Sequence, residues 1–567
     1  MKKQIRIGLE FFDRIIEEDY FYIDKTLLIK ELLENMGGAT LITRPRRFGK
    51  TLNMSMMKCF FDASRDNRHL FEGLKIMEHE DIVEKHLGKY PVIFITLKDA
   101  EYSTFEGTIQ KIEFLVSEIY QQNWYIYESD RLEETQKKRF YRYYAGESTE
   151  VELQNAIKFL MSCLHQYYGK KVIVLIDEYD APITNALMKG FYQEMIEFMR
   201  GFLGSVFKSN DFLEFGVLTG VQRISKEGLV SGFNNPRVCG VTNDAFSGCY
   251  GFTEEEVRLA CETYGYGDRF GDVKKWYDGY RFGRAQDMYN PWSIVYFLLE
   301  GKLRNYWANT GGVSVLEDIF FKGSLSLKDD MAGLLTDVPI LMEYDDHIMY
   351  PIQYKNDSVF WSLLLNAGYL KPCAGSEGDR FYAELVNREV KDIFRRCIDL
   401  WFNRQQSGIH KAIQEFVGCL LSGDVEGVGR ALNEELLNSP SCHDFKEENS
   451  YHMFIYGILL AASRDYTVLS NRESGKGRSD CVIKPEDKSR SAVIVEFKHI
   501  RELPSGDSPE GSGGLSAEAQ KGLDQISEKA YIHDLKEEGY GKVLLYGIAF
   551  HKKRCEVAAS QSFSSTA

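Results

Sequence analysis

Arg46-Arg47-Phe48-Gly49-Lys50-Thr51-Leu52 packs three cations, a glycine and a hydroxyl into seven consecutive residues. The apolar pair Leu41-Ile42 leads into it, and an apolar, helix-compatible segment, Leu52 to Phe61, follows. Strand, Gly-Lys-Thr turn and helix is the order in which a main chain folds around a phosphate. Glycine permits the tight turn that aims N–H groups at phosphate oxygens. The lysine supplies a point charge, the threonine hydroxyl can hold Mg²⁺, and the helix N-terminus adds its positive dipole end. One departure stands out, because the position of the pattern's first glycine holds Arg44. Arg44 to Lys58 carries five basic residues and no acid, and Arg44 to Arg47 is expected to serve nucleotide phosphates more than nucleic acid.

A Gly-Lys-Thr turn recurs by chance in long chains, so a second motif has to decide. Lys171-Val-Ile-Val-Leu-Ile-Asp-Glu178 is an unbroken apolar run closed by two carboxylates. Such a run fits a parallel strand buried on both faces. At its end Asp177 would join Thr51 in a Mg²⁺ shell, and Glu178 would polarise an attacking water. In that order the two motifs point to ATP.

A third group lies near the C-terminus. Cys481-Val-Ile-Lys484 and Ala492-Val-Ile-Val-Glu-Phe-Lys498 flank a turn rich in Pro485, Asp487 and Ser489. A hairpin centred near Lys488 puts Asp480 opposite Glu496, and strand alternation sends Glu496 and Lys498 to one face. Two carboxylates and a lysine at one sheet end suit Mg²⁺-dependent phosphodiester hydrolysis. The acids are hard oxygen ligands for the metal, and the lysine orients the nucleophile or shares developing charge.

Several elements must position these groups. Tyr90 to Leu97 and Leu213 to Thr219 read as further buried strands, and residues 101–170, with apolar residues at helical spacing, read as an insertion of helices. Thr253 with Glu256 forms a capping box at a helix start. Residues 300–440 read as helix-rich. Pro504 to Ser516 is a Gly- and Ser-rich loop beside the third group, and the small polar residues after Lys553 read as a flexible tail.

Composition sets the frame. The chain has 567 residues, enough for two to four domains, and 44% hydrophobic with 13% aromatic content indicates folded cores. A net charge of −15 argues against a nucleic-acid-coated protein without excluding a local basic groove. Eleven cysteines without a Cys-x-x-Cys pair exclude metal-finger and thioredoxin readings and fit a reducing cytoplasm. The acidic N-terminus does not read as a signal peptide, and no apolar run approaches the roughly 18 residues of a membrane span.

Tyr22-Ile-Asp-Lys-Thr26, Arg44-Pro-Arg-Arg-Phe-Gly-Lys-Thr51, Leu175-Ile-Asp-Glu-Tyr-Asp180 and Leu218-Thr-Gly-Val221 resemble the motifs of the prokaryotic AAA-ATPase-like family, in which arginine also replaces the first glycine. Trp276-Tyr-Asp-Gly-Tyr280 and Tyr289-Asn-Pro-Trp-Ser293 resemble further signatures of that family and read as a small helical lid. The resemblance implies a P-loop NTPase core and often a C-terminal nuclease-like domain. It makes Thr219 the candidate γ-phosphate sensor, with Arg223 within reach of the same phosphates. It also implies a possible homo-oligomer in which an arginine reaches a neighbour's nucleotide. The C-terminal group resembles the PD-(D/E)XK nuclease superfamily, with Asp480 as its Asp and Glu496-Phe497-Lys498 as its Glu-x-Lys. By that resemblance Glu448 is the helix carboxylate and Gln525 lies on the following helix.

The expected fold is α/β, a parallel-sheet NTPase core followed by a small nuclease-like α/β domain. The expected boundaries are 1–250 for the core, 251–440 for a helical lid and linker, 441–555 for the nuclease-like domain and 556–567 for the tail. The expected function is a cytoplasmic ATPase controlling a Mg²⁺-dependent nuclease on DNA or RNA. Its rival is an ATP-dependent regulatory or binding protein with an inactive nuclease fold.

Overall fold

The computed structural model describes residues 2–35, 37–224, 236–307, 325–335, 337–345, 357–373, 378–405, 409–438, 455, 459, 466–474, 477–485, 487–500, 513–528, 532–551 and 554–563. Two units are present, residues 1–312 with 341–390, and residues 313–340 with 391–567.

In the first unit β1 (Ala39–Thr43), β2 (Val92–Thr96), β3 (Val172–Asp177), β4 (Leu213–Gly220) and β5 (Arg237–Cys239) form one parallel sheet, in the order β2-β3-β4-β1-β5. β1 and β3 are buried at every residue, which is why β3 reads as an unbroken apolar run rather than an alternating one. Residues 101–170 supply the helices Phe105–Gln122, Trp124–Glu128, Glu134–Ala145, Glu150–Gln154 and Ala156–Tyr168. Their apolar stripes share one core with Val172, Val174 and Ile176, the alternate residues of β3. Thr96 pairs with Asp177 and Thr43 with Gly220, so the carboxyl ends of β2, β3, β4 and β1 form a single rim. Open parallel sheets bind ligands outside that rim.

The region expected as a helical lid and linker is different in two respects. Residues 251–312 belong to the same unit as the parallel sheet. The reason is aromatic packing, since Phe48 lies edge-on to Tyr280 and Phe282 and the Gly251 N–H donates to the Phe48 carbonyl at 3.3 Å. The region also contains strands, a hairpin of β6 (Tyr280–Phe282) and β7 (Ala285–Met288), and a sheet of β8 (Ile340–Glu343), β9 (Leu370–Pro372) and β10 (Arg380–Leu385). In β10 the inward residues Phe381, Ala383 and Leu385 alternate over only six positions, too short a period-two signal to stand out. The capping box of Thr253 and Glu256 starts the Glu254–Tyr264 helix.

In the second unit β11 (Tyr466–Ser474), β12 (Gly477–Pro485), β13 (Ala492–His499), β14 (Lys542–His551) and β15 (Arg554–Phe563) form a mixed sheet in chain order, parallel only between β13 and β14. The parallel pair needs a crossover, and the Gly513–Glu528 helix lies within it and packs on β13, β14 and β15. The tail expected from residue 556 is therefore corrected as far as Phe563, because β15 pairs with β14 along its whole length. Asn433 holds its start, donating to the Cys555 carbonyl at 3.1 Å and accepting from the Cys555 N–H at 2.9 Å. Among the described residues, no helix is long and apolar enough to cross a membrane.

Candidate active sites

The Arg44–Thr51 loop leaves β1 at the rim and ends at Gly49, which caps the Lys50–Phe61 helix with φ +81°. Arg44 does not face phosphate, which corrects the expectation for that residue. Its guanidinium is wholly buried and donates to the carbonyls of Thr43, Cys239, Gly240, Ala245 and Phe246. It lies 5.5 and 5.1 Å from the Tyr250 and Phe282 ring centres, and burial pushes its pKa down. The residue that replaces a glycine thus pins the start of the loop to β5 and the turn after it.

The other loop residues divide by role. Arg46, Arg47, Phe48, Gly49, Lys50, Thr51 and Leu52 line one cavity of about 440 Å³, together with Glu178, Lys98 and Trp292. That volume suits a small-molecule ligand. The Arg46 carbonyl accepts from Asn290 Nδ2 at 3.4 Å and from Trp307 Nε1 at 3.2 Å. Arg47 has a left-handed backbone, φ +69°, and its guanidinium stacks 4.1 Å from a Trp292 ring centre. Phe48, only 1% exposed, acts mainly as an anchor in its aromatic cluster. Asn290 and Trp292 belong to the Tyr289–Ser293 signature, so part of what the sequence suggested was lid grips the loop itself.

Lys50 Nζ donates to the carbonyls of Arg44 at 3.2 Å and Pro45 at 3.1 Å and lies 3.4 Å from Glu178 Oε1. Thr51 Oγ1 donates to Asp177 Oδ2 at 2.7 Å. The same carboxylate accepts from Thr96 at 3.2 Å on Oδ2 and from Thr219 at 2.5 Å on Oδ1. Asp177 is fully buried. Burial raises its pKa most and the neighbouring Glu178 charge adds to this, while bonds from Thr219 and Thr51 and the Lys50 charge pull it down. Thr51 with Asp177 is a hard-oxygen pair that fits Mg²⁺. Glu178 sits at φ +53° with its side chain in the cavity.

Two expected phosphate contacts are not brought to this cavity. Thr219 is fully buried and spends its hydroxyl on Asp177. Arg223 lines a separate cavity with Thr43, Gly240, Tyr344 and Asn366. Two residues of the rim went unread in the sequence. Thr96 ends β2 beside Asp177, a signal visible in the strand-end rule. Asp180, in the Leu175–Asp180 motif, is 3% exposed and accepts from the N–H groups of Val221 and Gln222.

The second site sits in the other unit. Cys481 pairs with Val495, Val482 with Ile494 and Ile483 with Val493, a register that continues to Asp480 beside Glu496. Asp480 Oδ2 accepts from the Phe497 N–H at 2.8 Å. Glu496, 2% exposed, lies with Oε1 3.6 Å from Lys498 Nζ and accepts a hydrogen bond there from Gln525 Nε2. Gln525 reaches it because the Gly513–Glu528 helix lies very close to the sheet. A Cβ at Gly547 of β14 would stand 2.0 Å from the Ala519 carbonyl oxygen and 2.5 Å from the Leu523 nitrogen. Asp480, Glu496, Lys498 and Gln525 are thus assembled at one end of the sheet. Glu448 lies outside the described residues. The two carboxylates fit Mg²⁺ in donor type, and among the described residues no third acid, histidine or cysteine completes a cluster with them.

Two family models match the chain. One, a predicted AAA-ATPase, matches residues 6–230 and so runs from the N-terminal segment through β4. The other, the PD-(D/E)XK nuclease superfamily, matches residues 446–560 and includes Asp480, Glu496, Lys498 and Gln525. An uncharacterised protein in the vnfD 5′ region of Azotobacter chroococcum mcd 1 is 24% identical over 569 residues, 97% of this chain and 97% of that one.

Proposed function

We propose that this chain, which carries an AAA-ATPase-like domain over residues 6–230 and a PD-(D/E)XK nuclease superfamily domain over residues 446–560, hydrolyses ATP and thereby controls cleavage of DNA or RNA. The observation that carries the reading is the 2.7 Å hydrogen bond from Thr51 to Asp177, which unites two motifs 126 residues apart. Lys50, now bonded to loop carbonyls and near Glu178, exchanges these partners for the β- and γ-phosphates. Glu178, released from the lysine, orients the attacking water and accepts its proton. Arg46 adds charge from the cavity wall.

In the nuclease half Gln525 fixes the rotamer of Glu496, the Phe497 N–H fixes that of Asp480, and Lys498 stabilises charge on the phosphate. Thr51 with Asp177, and Asp480 with Glu496, would each hold a Mg²⁺, which would supply neutralisation of phosphate charge at the first site and activation of a bound water at the second.

The test is cleavage of labelled single- and double-stranded DNA and RNA, with and without Mg²⁺ and ATP. The parent should cut at least one substrate with Mg²⁺, at a rate that responds to ATP. Asp480→Ala should abolish cleavage, and Lys50→Ala should abolish ATP binding and the response. Cleavage of no substrate with Mg²⁺ or Mn²⁺ would sink the nuclease half. Undiminished ATP binding by Lys50→Ala would sink the ATPase half.

A further inference from the structure

The turn Asp177–Asp180 is held from two sides. On one side three threonine hydroxyls converge on Asp177. On the other, Tyr179 and Asp180 grip the segment that follows β4. The Tyr179 hydroxyl donates to the Gln222 carbonyl at 2.8 Å and accepts from the Ile224 N–H at 3.0 Å. Asp180 Oδ2 accepts from Val221 N–H at 2.9 Å and Gln222 N–H at 2.8 Å. Asp180 Oδ1 is buried without a hydrogen-bond partner and points at Gly220, where a Cβ would come within 2.5 Å of it. The carboxylate therefore fits only because β4 ends in glycine. Between the two grips stands Glu178, in a left-handed backbone that a non-glycine residue keeps only where its surroundings over-determine it.

We propose that Asp180 is a positioning residue for ATP hydrolysis, latching the β3 turn to the β4 turn so that Glu178 stays aimed at the nucleotide. The latch continues beyond the rim. Gln222 Oε1 accepts from Asn366 Nδ2 at 3.2 Å, and Asn366 Oδ1 accepts from the Tyr344 hydroxyl at 3.0 Å. The inference rests on the ATPase half of the proposed function. It goes further by separating the residue that aims Glu178 from those that bind nucleotide, because Asp180 does not line the cavity and its carboxylate accepts from the Val221 and Gln222 N–H groups instead.

The test measures ATP affinity and turnover separately in the full chain, for Asp180→Ala, Asp180→Asn, Gly220→Ala and Glu178→Gln. Misaiming a catalytic group by about 1 Å costs roughly 10²-fold in rate. Asp180→Ala should lose about that in kcat while its Kd for ATP stays within about threefold. Gly220→Ala, whose methyl displaces the latch, should reproduce the loss. Asp180→Asn keeps the shape with a weaker acceptor and should fall between Asp180→Ala and the parent. A folded Asp180→Ala with parental kcat, or one whose ATP affinity falls in step with kcat, overturns the latch. Glu178→Gln is the control, since parental turnover there refutes Glu178 as the hydrolytic group and with it the ATPase reading. Parental turnover in Asp180→Ala beside an inactive Glu178→Gln refutes only the latch.

Discussion

Asp180 keeps a carboxylate out of water with one oxygen unpartnered, and that arrangement works against stability. Burial, followed by the Glu178 charge, lifts its pKa from 3.8 to about 6, against the pull of the Gln222 and Val221 N–H groups and of Lys50. A folded-state pKa above the unfolded one means that the native state takes up the proton first. At neutral pH the ionised form therefore penalises folding. The penalty shrinks as pH falls through about 6 and is gone near 4, where the unfolded acid protonates too. At about 1.4 kcal/mol per pKa unit the penalty reaches at most about 3 kcal/mol. Asp180→Asn should then unfold at a higher temperature than the parent at pH 7, with the gap closing toward pH 4. Denaturation curves from pH 4 to 8 check this, and a variant less stable than the parent at pH 7 contradicts it. Greater stability with slower turnover is the pattern expected of a group retained for function.

At the scale of elements, the nuclease-like site depends on one helix lying unusually close to one sheet. Gly547 provides the approach, and Gly522 faces it with its own Cβ position 3.4 Å from the Glu496 carbonyl oxygen. Gly547→Ala places a methyl inside the Ala519 and Leu523 main chain, so the helix must move outward. Overpacking of this kind costs about 1–3 kcal/mol. The movement also withdraws Gln525 from Glu496. The expected result is a lower melting temperature together with a weaker Mg²⁺ requirement curve for cleavage, read by metal titration of the rate. An unchanged metal titration in a destabilised Gly547→Ala would show that the helix serves packing alone. The β15 edge offers a contrast, since Asn433 holds only its start and no candidate site residue lies on it.

Over the whole molecule, the two candidate sites lie in different units, each at the carboxyl end of a strand. Asp177 ends β3 in the first unit, and Glu496 lies near the end of β13 in the second. The two chemistries should therefore separate. Asp480→Ala and Glu496→Gln should lose metal-dependent cleavage while hydrolysing ATP at the parental rate. Lys498→Ala should retain metal binding and lose roughly 10²–10³ in cleavage rate, the scale of removing one electrostatic group from a reacting centre. Parallel phosphate-release and cleavage assays measure both, and an ATPase loss in Asp480→Ala would mean the sites share more than a chain.

Much of this was readable from local chemistry. The apolar pair Leu41-Ile42 announced β1, and an unbroken apolar run announced β3, because a strand covered on both faces need not alternate. The Asp480–Glu496 register followed from the turn centre and the two-residue period, both local properties of a hairpin. Thr51 beside Asp177 followed from two strand ends meeting at one rim. Side-chain destinations across the chain did not follow. Arg44 reaches carbonyls about 200 residues away, Thr219 turns to Asp177 rather than to a phosphate, and Arg223 opens into another cavity. No period in the sequence encodes those choices, since each depends on which surfaces meet once the crossovers close. The strand Arg554–Phe563 was hidden for the same reason. Its apolar residues Cys555, Val557 and Ala559 alternate with too little bulk among small and polar neighbours to announce a strand, and the edge of β14 gives their backbone a place to pair.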